Sequence, residues 1–319
     1  MKHIAIIGTG RHGSRYAGHI VQDLEGVQLA GISRQSVAQG QEQARCWCTI
    51  FYEDWRTLIA AADVDAVVAV TLPSLNLEIA RHCAQAGKPL LVEKPLARNV
   101  AEASQILQIM DAAGVPLTVG QTLRYNPVIQ ALRAGISKMG PLYSFSANQR
   151  LEPSTLAWHD DKDAAGAGVL FHTAVHVFDA LKMITGQKVR RVMAHGRQIH
   201  TKVLEDLVLV SVELENGVLG TVDVSKIGQA RTGRFEFVCG AGQLHGDQIH
   251  AYLEVVTGNT VAPRQTFNQV PTVLHLLRDW QAFLEGRGQN PVPGEEGLYA
   301  VRVCEACLTS MAEQRWIEV

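Results

Sequence analysis

Over the first 120 positions, short unbroken apolar runs alternate with longer stretches whose apolar residues return every three or four places. The runs HIAIIG (3–8), VQLAGISR (27–34), VDAVVAVT (64–71), PLLVE (89–93) and VPLTVG (115–120) have strand length and little polar interruption. Between them, SRYAGHIVQDL (14–24), DWRTLIAAA (54–62), NLEIARHCAQAG (76–87) and NVAEASQILQIMDAAG (99–114) have helical periodicity. Strands that do not alternate must be covered on both faces. The order therefore predicts an α/β fold over residues 1–121, a Rossmann-type doubly wound parallel sheet.

After Gly120 the rhythm changes. Strands are predicted over 141–152, 189–199, 206–226 and 234–247, with turn signals between them, and a long helix over 168–186. Asn216-Gly217, flanked by alternating apolar residues, signals a hairpin because both residue types tolerate positive φ. Helices over 272–286 and 295–314 close the chain. Residues 122–319 thus read as an α+β domain for substrate and oligomer contacts, an open, mainly antiparallel sheet with helices on one face. Its other face needs cover, which a partner subunit in a homodimer or homotetramer would supply.

Composition narrows the classes. The chain has 319 residues, 47% hydrophobic and 19% charged, with a net charge of −2, as expected of a globular protein. No clustered positive field is present to recruit nucleic acid or a membrane surface. The opening apolar run is too short for a signal peptide, and no run approaches the ~20 residues of a membrane span, so a cytoplasmic protein is the expectation. Cys304 and Cys307 have C-x-x-C spacing but lie in a stretch of helical periodicity, and Cys46 and Cys48 are too close for an ordinary disulfide framework. The six cysteines read as buried thiols of a reducing compartment.

Chemistry enters with IGTGRHG. Gly8, Gly10 and Gly13 form G-x-G-x-x-G where the first strand meets the first helix, so Gly8-Thr9-Gly10-Arg11-His12-Gly13 is the candidate dinucleotide loop. Gly8 makes the turn, Gly10 lets backbone approach a pyrophosphate, and Gly13 lets helix and strand pack. An NAD-preferring site carries Asp or Glu at the end of the second strand. This chain has Ser33 and Arg34, a hydroxyl and a guanidinium suited to a 2′-phosphate, so NADP is the preferred cofactor, with NAD the alternative.

The stretch LVEKPLA (91–97) ends an apolar run on Glu93-Lys94-Pro95. A lysine at the carboxyl end of a parallel strand stands where such sheets bind ligands, and it can stabilise an alkoxide as hydride leaves. Burial would lower its pKa, while Glu93 would keep it charged. The competing reading is an ion pair capping the strand–helix turn.

At these residues the chain resembles the glucose–fructose oxidoreductase, inositol dehydrogenase and MocA (Gfo/Idh/MocA) family. AGKPLLVEKPLARNVAEA (86–103) is similar to the family's Glu-Lys-Pro signature, and AGAGVLFHTAVHVFDAL (165–181) to its Gly-rich turn and helix. EDLVLVSVELENGVLGTV (205–222) is similar to its sheet-domain hairpin, and PVPGEEGLYAVRVCEAC (291–307) to its last helix. The resemblance implies a nicotinamide-dependent oxidoreductase acting on CH–OH groups of a sugar, polyol or related carbonyl compound. Nicotinamide binds the first domain, and substrate sits in the cleft. It implies that Lys94 contacts the reacting hydroxyl and the nicotinamide ribose, that His176 exchanges the proton, and that Glu93 and Thr71 lie on the cofactor side. Arg124 and Tyr125 in LRYNP (123–127) stand at the family's domain junction, facing the cleft or bridging the domains. LAWHDDKD (156–163) aligns with its substrate loop, where Trp158 would stack on a sugar ring and His159, Asp160 or Lys162 would bond hydroxyls.

One position departs. Family helices commonly read Asp-x-x-x-His, whereas this chain has His172-x-x-x-His176, with Asp179 one turn further on the same helical face. A histidine hydrogen-bonds but supplies no permanent negative charge, so His172 is assigned to positioning substrate or relaying the proton. Two histidines four apart can also share zinc, but no third ligand is evident and no metal is expected. Two other classes stay open: a lyase or glycosidase with transient oxidation by tightly held nicotinamide, and a non-catalytic dinucleotide-binding sensor.

Overall fold

In the computed structural model, which describes residues 1–319, six parallel strands form the first sheet. They are β1 (Lys2–Ile7), β2 (Val27–Ser33), β3 (Ile50–Tyr52), β4 (Ala66–Ala69), β5 (Leu90–Val92) and β6 (Leu117–Val119), in the order β3-β2-β1-β4-β5-β6. Ile4, Ile6, Val67, Val68, Leu90 and Leu91 have no exposed surface, as strands covered on both faces require. The helices are α1 (Gly13–Gln22), α2 (Val37–Cys46), α3 (Trp55–Ala60), α4 (Asn76–Gln85) and α5 (Val100–Ala112). α2 and β3 are additions to the elements read from the sequence. α2 buries only Gly40 and Ala44, too little apolar surface to leave a periodic signal.

The chain divides into two compact units, and the assignment of residues 122–319 to a single second domain needs correction. Residues 271–298 group with the first unit, Met1–Gln121. The helix Thr272–Leu284 lies against α1, with Gln281 donating to the Glu25 carbonyl at 2.8 Å. β6 is an edge strand whose outer side is taken by residues 290–293. Val119 N–H donates to the Val292 carbonyl at 2.9 Å, and Asn290 bonds both the Thr118 hydroxyl and the Leu117 carbonyl at 2.8 Å. An exposed edge is an aggregation liability, and this segment covers it.

The second unit, Thr122–Val270 with Tyr299–Val319, holds α6 (Pro127–Ile136), β7 (Leu142–Leu151), α7 (Lys162–Ala165), a π turn (Leu170–Ala174) and α8 (Val175–Thr185). β8 (Val189–Arg197), β9 (Leu207–Leu214), β10 (Leu219–Lys226), β11 (Arg234–Cys239), β12 (Gly242–Asp247) and β13 (Tyr252–Thr257) follow. The short strands β14 (Thr260–Val261) and β15 (Gln265–Thr266) come next; after α9 (the Thr272–Leu284 helix of the first unit), the chain ends with α10 (Gly294–Glu313) and β16 (Ile317–Glu318). The ten-stranded sheet runs β14-β13-β12-β11-β7-β10-β9-β8-β16, with β15 on β13. All its pairings are antiparallel except β7 with β10.

The β9–β10 hairpin turns where Asn216-Gly217 predicted. Only Gly217 takes positive φ, +83°, and Asn216 instead accepts the Val218 N–H at 3.2 Å. The helical stretch Lys162–Thr185 is long and apolar enough to cross a bilayer, unlike any run recognised in the sequence, but 83% of its apolar window is buried within the protein.

Candidate active site

The Gly-rich loop has the geometry its spacing predicts. Gly8 takes φ +91°, and a Cβ there would fall 2.2 Å from the Val70 carbonyl oxygen. A Cβ on Gly13 would fall 1.9 Å from the Gly8 carbonyl oxygen, so helix and strand approach as closely as backbone allows. A Cβ on Gly10 would meet nothing within 4 Å, leaving open the side where a pyrophosphate would lie. No side chain caps the N-terminus of α1, where the Ser14 and Arg15 N–H groups donate to the Gly10 and His12 carbonyls at 2.9 and 3.0 Å. These features fit a dinucleotide.

Beside this loop, Thr9, Gly10, Arg11, Ser14, Arg34, Gln39, Glu42 and Gln43 line a cavity of about 310 Å³. Arg34 reaches this cavity. Ser33 does not: it is 3% exposed, and its carbonyl accepts the Gly8 N–H at 2.8 Å. Arg34 donates to the Thr9 carbonyl at 3.1 Å, to Gln43 Oε1 at 3.0 Å and to Gln39 Oε1 at 2.5 Å. Thr9 is fully buried and spends its hydroxyl on Gln43, at 2.7 Å, so it contributes backbone to the loop. Gln39 and Gln43 escaped the sequence reading along with α2, although their i,i+4 spacing marks one helical face.

In the Glu-Lys-Pro turn, Glu93 is buried and Lys94 half-buried. Glu93 is 7% exposed and faces the interior of the first unit. Its carboxylate accepts from the Tyr16 hydroxyl at 2.5 Å and the Lys94 N–H at 3.1 Å, and lies 2.9 Å from His12 Nε2. The Glu93 and His12 side chains thus tie the Gly-rich loop to this turn. Burial alone would push the Glu93 carboxyl up, but His12, Lys94 and Tyr16 outweigh it and hold it below the usual range. Burial pulls the Lys94 ammonium below its usual value, and Glu93 opposes this only partly. The turn is anchored by Asn76, which donates to the Pro95 and Leu96 carbonyls at 3.2 and 3.0 Å and accepts from the Thr71 hydroxyl at 3.1 Å. Thr71 thus serves its strand end through Asn76.

In the second unit, the helix expected over 168–186 opens instead with the π turn, which carries His172; His176 lies on α8. Isolated π turns recur at functional sites. This one is pinned by Glu205, whose carbonyl accepts the Val169 N–H at 2.8 Å and whose carboxylate accepts the Leu170 N–H at 3.1 Å. His172 is buried, and its ring stacks on His159 with centroids 3.9 Å apart and a 23° tilt. Trp158 meets His172 edge-on at 5.1 Å. His176 is half-buried, and so is Tyr125. Asp179 has no exposed surface and takes a bidentate pair from Arg124, at 2.6 to 3.1 Å, which ties Arg124 to α8. Asp160 accepts the N–H groups of Lys202, Val203 and Leu204 at 2.8 to 2.9 Å, and so ties two loops. Lys162 is exposed at the start of α7.

Cys304 and Cys307 are buried on α10, and burial pushes both thiols up, which disfavours the thiolate. Cys46 and Cys48, expected to be buried, are exposed at the end of α2. All six cysteines are free, and no His/Cys/Asp/Glu cluster has metal-site geometry.

Residues 2–121 match the oxidoreductase family with NAD-binding Rossmann fold, and residues 136–245 match the GFO/IDH/MocA C-terminal domain. Scyllo-inositol 2-dehydrogenase (NAD(+)) of Bacillus subtilis is 25% identical over 233 residues, which span 70% of this chain and 66% of that enzyme. 1,5-Anhydro-D-fructose reductase of Ensifer adhaerens is 28% identical over 277 residues, 82% of each chain. Levoglucosan dehydrogenase, solved in complex with NADH and levoglucosan, shares the fold with a TM-score of 0.88 at 21% identity, covering 100% of this chain and 99% of that one. The two matched domains, each on the unit where its motifs lie, place this chain in the Gfo/Idh/MocA family of NAD-binding oxidoreductases.

Proposed function

We propose that this protein is an NADP(H)-preferring dehydrogenase or reductase acting on a hydroxyl-bearing carbon of a sugar, polyol or related carbonyl compound. The carrying observation is topological. The carboxyl ends of β1, β2, β4 and β5 bring the Gly8–Gly13 loop, Arg34, Thr71 and Lys94 to one edge of a parallel sheet, where such sheets bind ligands. The names of the relatives support a sugar-like substrate. Preference for the phosphorylated dinucleotide is supported by Arg34, which faces its cavity with no carboxylate where an NAD site would carry one.

When bound, the nicotinamide exchanges hydride with the substrate carbon. Lys94 donates a hydrogen bond to the oxygen on that carbon and stabilises the negative charge that develops there. Its lowered pKa eases transfer of a proton as well. His176 takes or returns the hydroxyl proton, a task suited to an imidazole because its ring nitrogen both accepts and donates a proton. His172, held flat against His159, orients substrate, and Trp158 offers a ring face to sugar C–H groups. A cytoplasmic setting and assembly through the open sheet belong to the same proposal.

The test is a screen of sugars, inositols, sugar acids and their keto forms, followed by nicotinamide absorbance with both dinucleotides. On the best substrate, Lys94→Met and His176→Ala are each expected to lower kcat by about 100-fold or more while dinucleotide Kd stays within about twofold. Unimpaired turnover in either variant would remove that residue from the chemistry. Product formation with no net change in nicotinamide would favour the transient-oxidation class instead.

A further inference from the structure

We propose that Gln43 is a specificity-determining residue for the dinucleotide, holding Arg34 with its charge uncompensated at the cavity where a 2′-phosphate would sit. The inference rests on the NADP(H) reading above.

Gln43 uses every polar valence of its amide. Oε1 accepts from the Thr9 hydroxyl at 2.7 Å and from Arg34 Nη1 at 3.0 Å, while Nε2 donates to the Thr9 carbonyl and to Ser14 Oγ, both at 3.1 Å. Only an amide offers that combination of acceptor and paired donors. One side chain on α2 therefore registers Arg34, at the end of β2, against the Gly-rich loop and the first turn of α1. A 2′-phosphate and a pyrophosphate are held at a fixed spacing by the ribose between them, so the two anchoring segments must be held at a matching spacing.

Charge is the second half of the argument. Each acceptor that Arg34 reaches, the Thr9 carbonyl and the amides of Gln39 and Gln43, is neutral. Glu42 lines the same cavity but bonds none of Arg34's N–H groups. The guanidinium is oriented without being neutralised, the state a phosphate monoester needs for a charge-assisted pair. A glutamate at position 43 would have nearly the same shape. It would pair with Arg34, repel the phosphate, and lose the donation to Thr9 and Ser14.

The experiment measures Kd for NADPH and NADH, by nicotinamide fluorescence, on the wild type, Gln43→Glu and Gln43→Leu. Gln43→Glu is expected to weaken NADPH by about tenfold or more and NADH by no more than about twofold. Gln43→Leu keeps Arg34 unneutralised but less ordered, so an NADPH-selective loss of about threefold is expected. Equal losses for both dinucleotides, or no loss for NADPH, would overturn the role. Should Gln43→Glu fail to fold, Gln43→Leu decides by the same ratio. Tighter NADH binding by the wild type would overturn the NADP(H) reading itself, before any variant is compared.

Discussion

Glu93 is nearly buried yet holds its charge, and the reason lies in three donors rather than in its charged neighbour alone. Tyr16, His12 and the Lys94 N–H supply the hydrogen bonds that water would otherwise provide. The phenol of Tyr16 is pushed well up by burial and by Glu93, so it stays a donor. The sign of the resulting pH dependence follows from linkage. A carboxyl whose folded pKa lies below its unfolded value adds stability that is complete above the ordinary range, near ~4.3, and is lost as pH falls through the folded value. Glu93→Gln is therefore expected to lower Tm at neutral pH, with the gap to wild type closing on acidification below about pH 4. A gap that stayed constant with pH would mean that shape, not charge, is what Glu93 contributes. Glu93 thus belongs to the scaffold, and Lys94 stands at the strand end with its pKa lowered by burial.

The element that presents His172 and His176 depends on a close backbone approach. A Cβ on Gly168 would fall 2.0 Å from the Glu205 carbonyl oxygen, and the backbone at this contact cannot swing aside as a flexible side chain could. Gly168→Ala is expected to cost about 1–3 kcal/mol and to lower kcat, read by thermal unfolding and steady-state kinetics together. An unchanged Tm would show that the loop around residue 205 yields, and that the π turn does not depend on it. This contact marks where sequence stops being informative. Apolar runs and helical periods located β1, β2, β4, β5, β6 and the C-terminal end of α8 to within a few residues, because local patterning and burial agree there. The same signals missed α2, with its two small buried residues, and α6, between the family-like LRYNP stretch and β7. They could not reveal the π turn either. Its pins, Glu205 and the Cys304 thiol, lie 35 and 134 positions away from Leu170. Gln43 and Asn76 escaped for the same reason: their meaning lies in partners remote along the chain.

At the scale of the whole molecule, the chain leaves the first unit after Gln121 and returns to it for residues 271–298, so neither unit is a single contiguous segment. Composition shifts mark the first crossing, but the return is made by an ordinary amphipathic helix that either unit could have used. The ten-stranded sheet poses the larger question. Its inward residues, such as Phe145, Val210, Val212 and Val222, are buried under helices, while the alternation sends Leu209 and Leu219 outward at 49% and 56% exposure. Around them lie Ser146, Ser211 and Thr221, together with the ion pairs Arg150–Asp223 and Arg191–Glu213. Exposed leucines amid hydroxyls and already-paired charges make a surface that loses little on desolvation. A stable interface needs only about 800 Å² per partner, which a face of ten strands supplies amply. The wild type is expected to sediment as a dimer or tetramer. Leu209→Arg combined with Leu219→Arg is expected to shift it toward monomer, since two cations brought onto a pairing face are costly to desolvate. The helix-packed face is untouched by these changes, so far-UV circular dichroism should stay the same. A wild type that sediments as monomer at micromolar concentration would remove the partner-subunit role from this sheet.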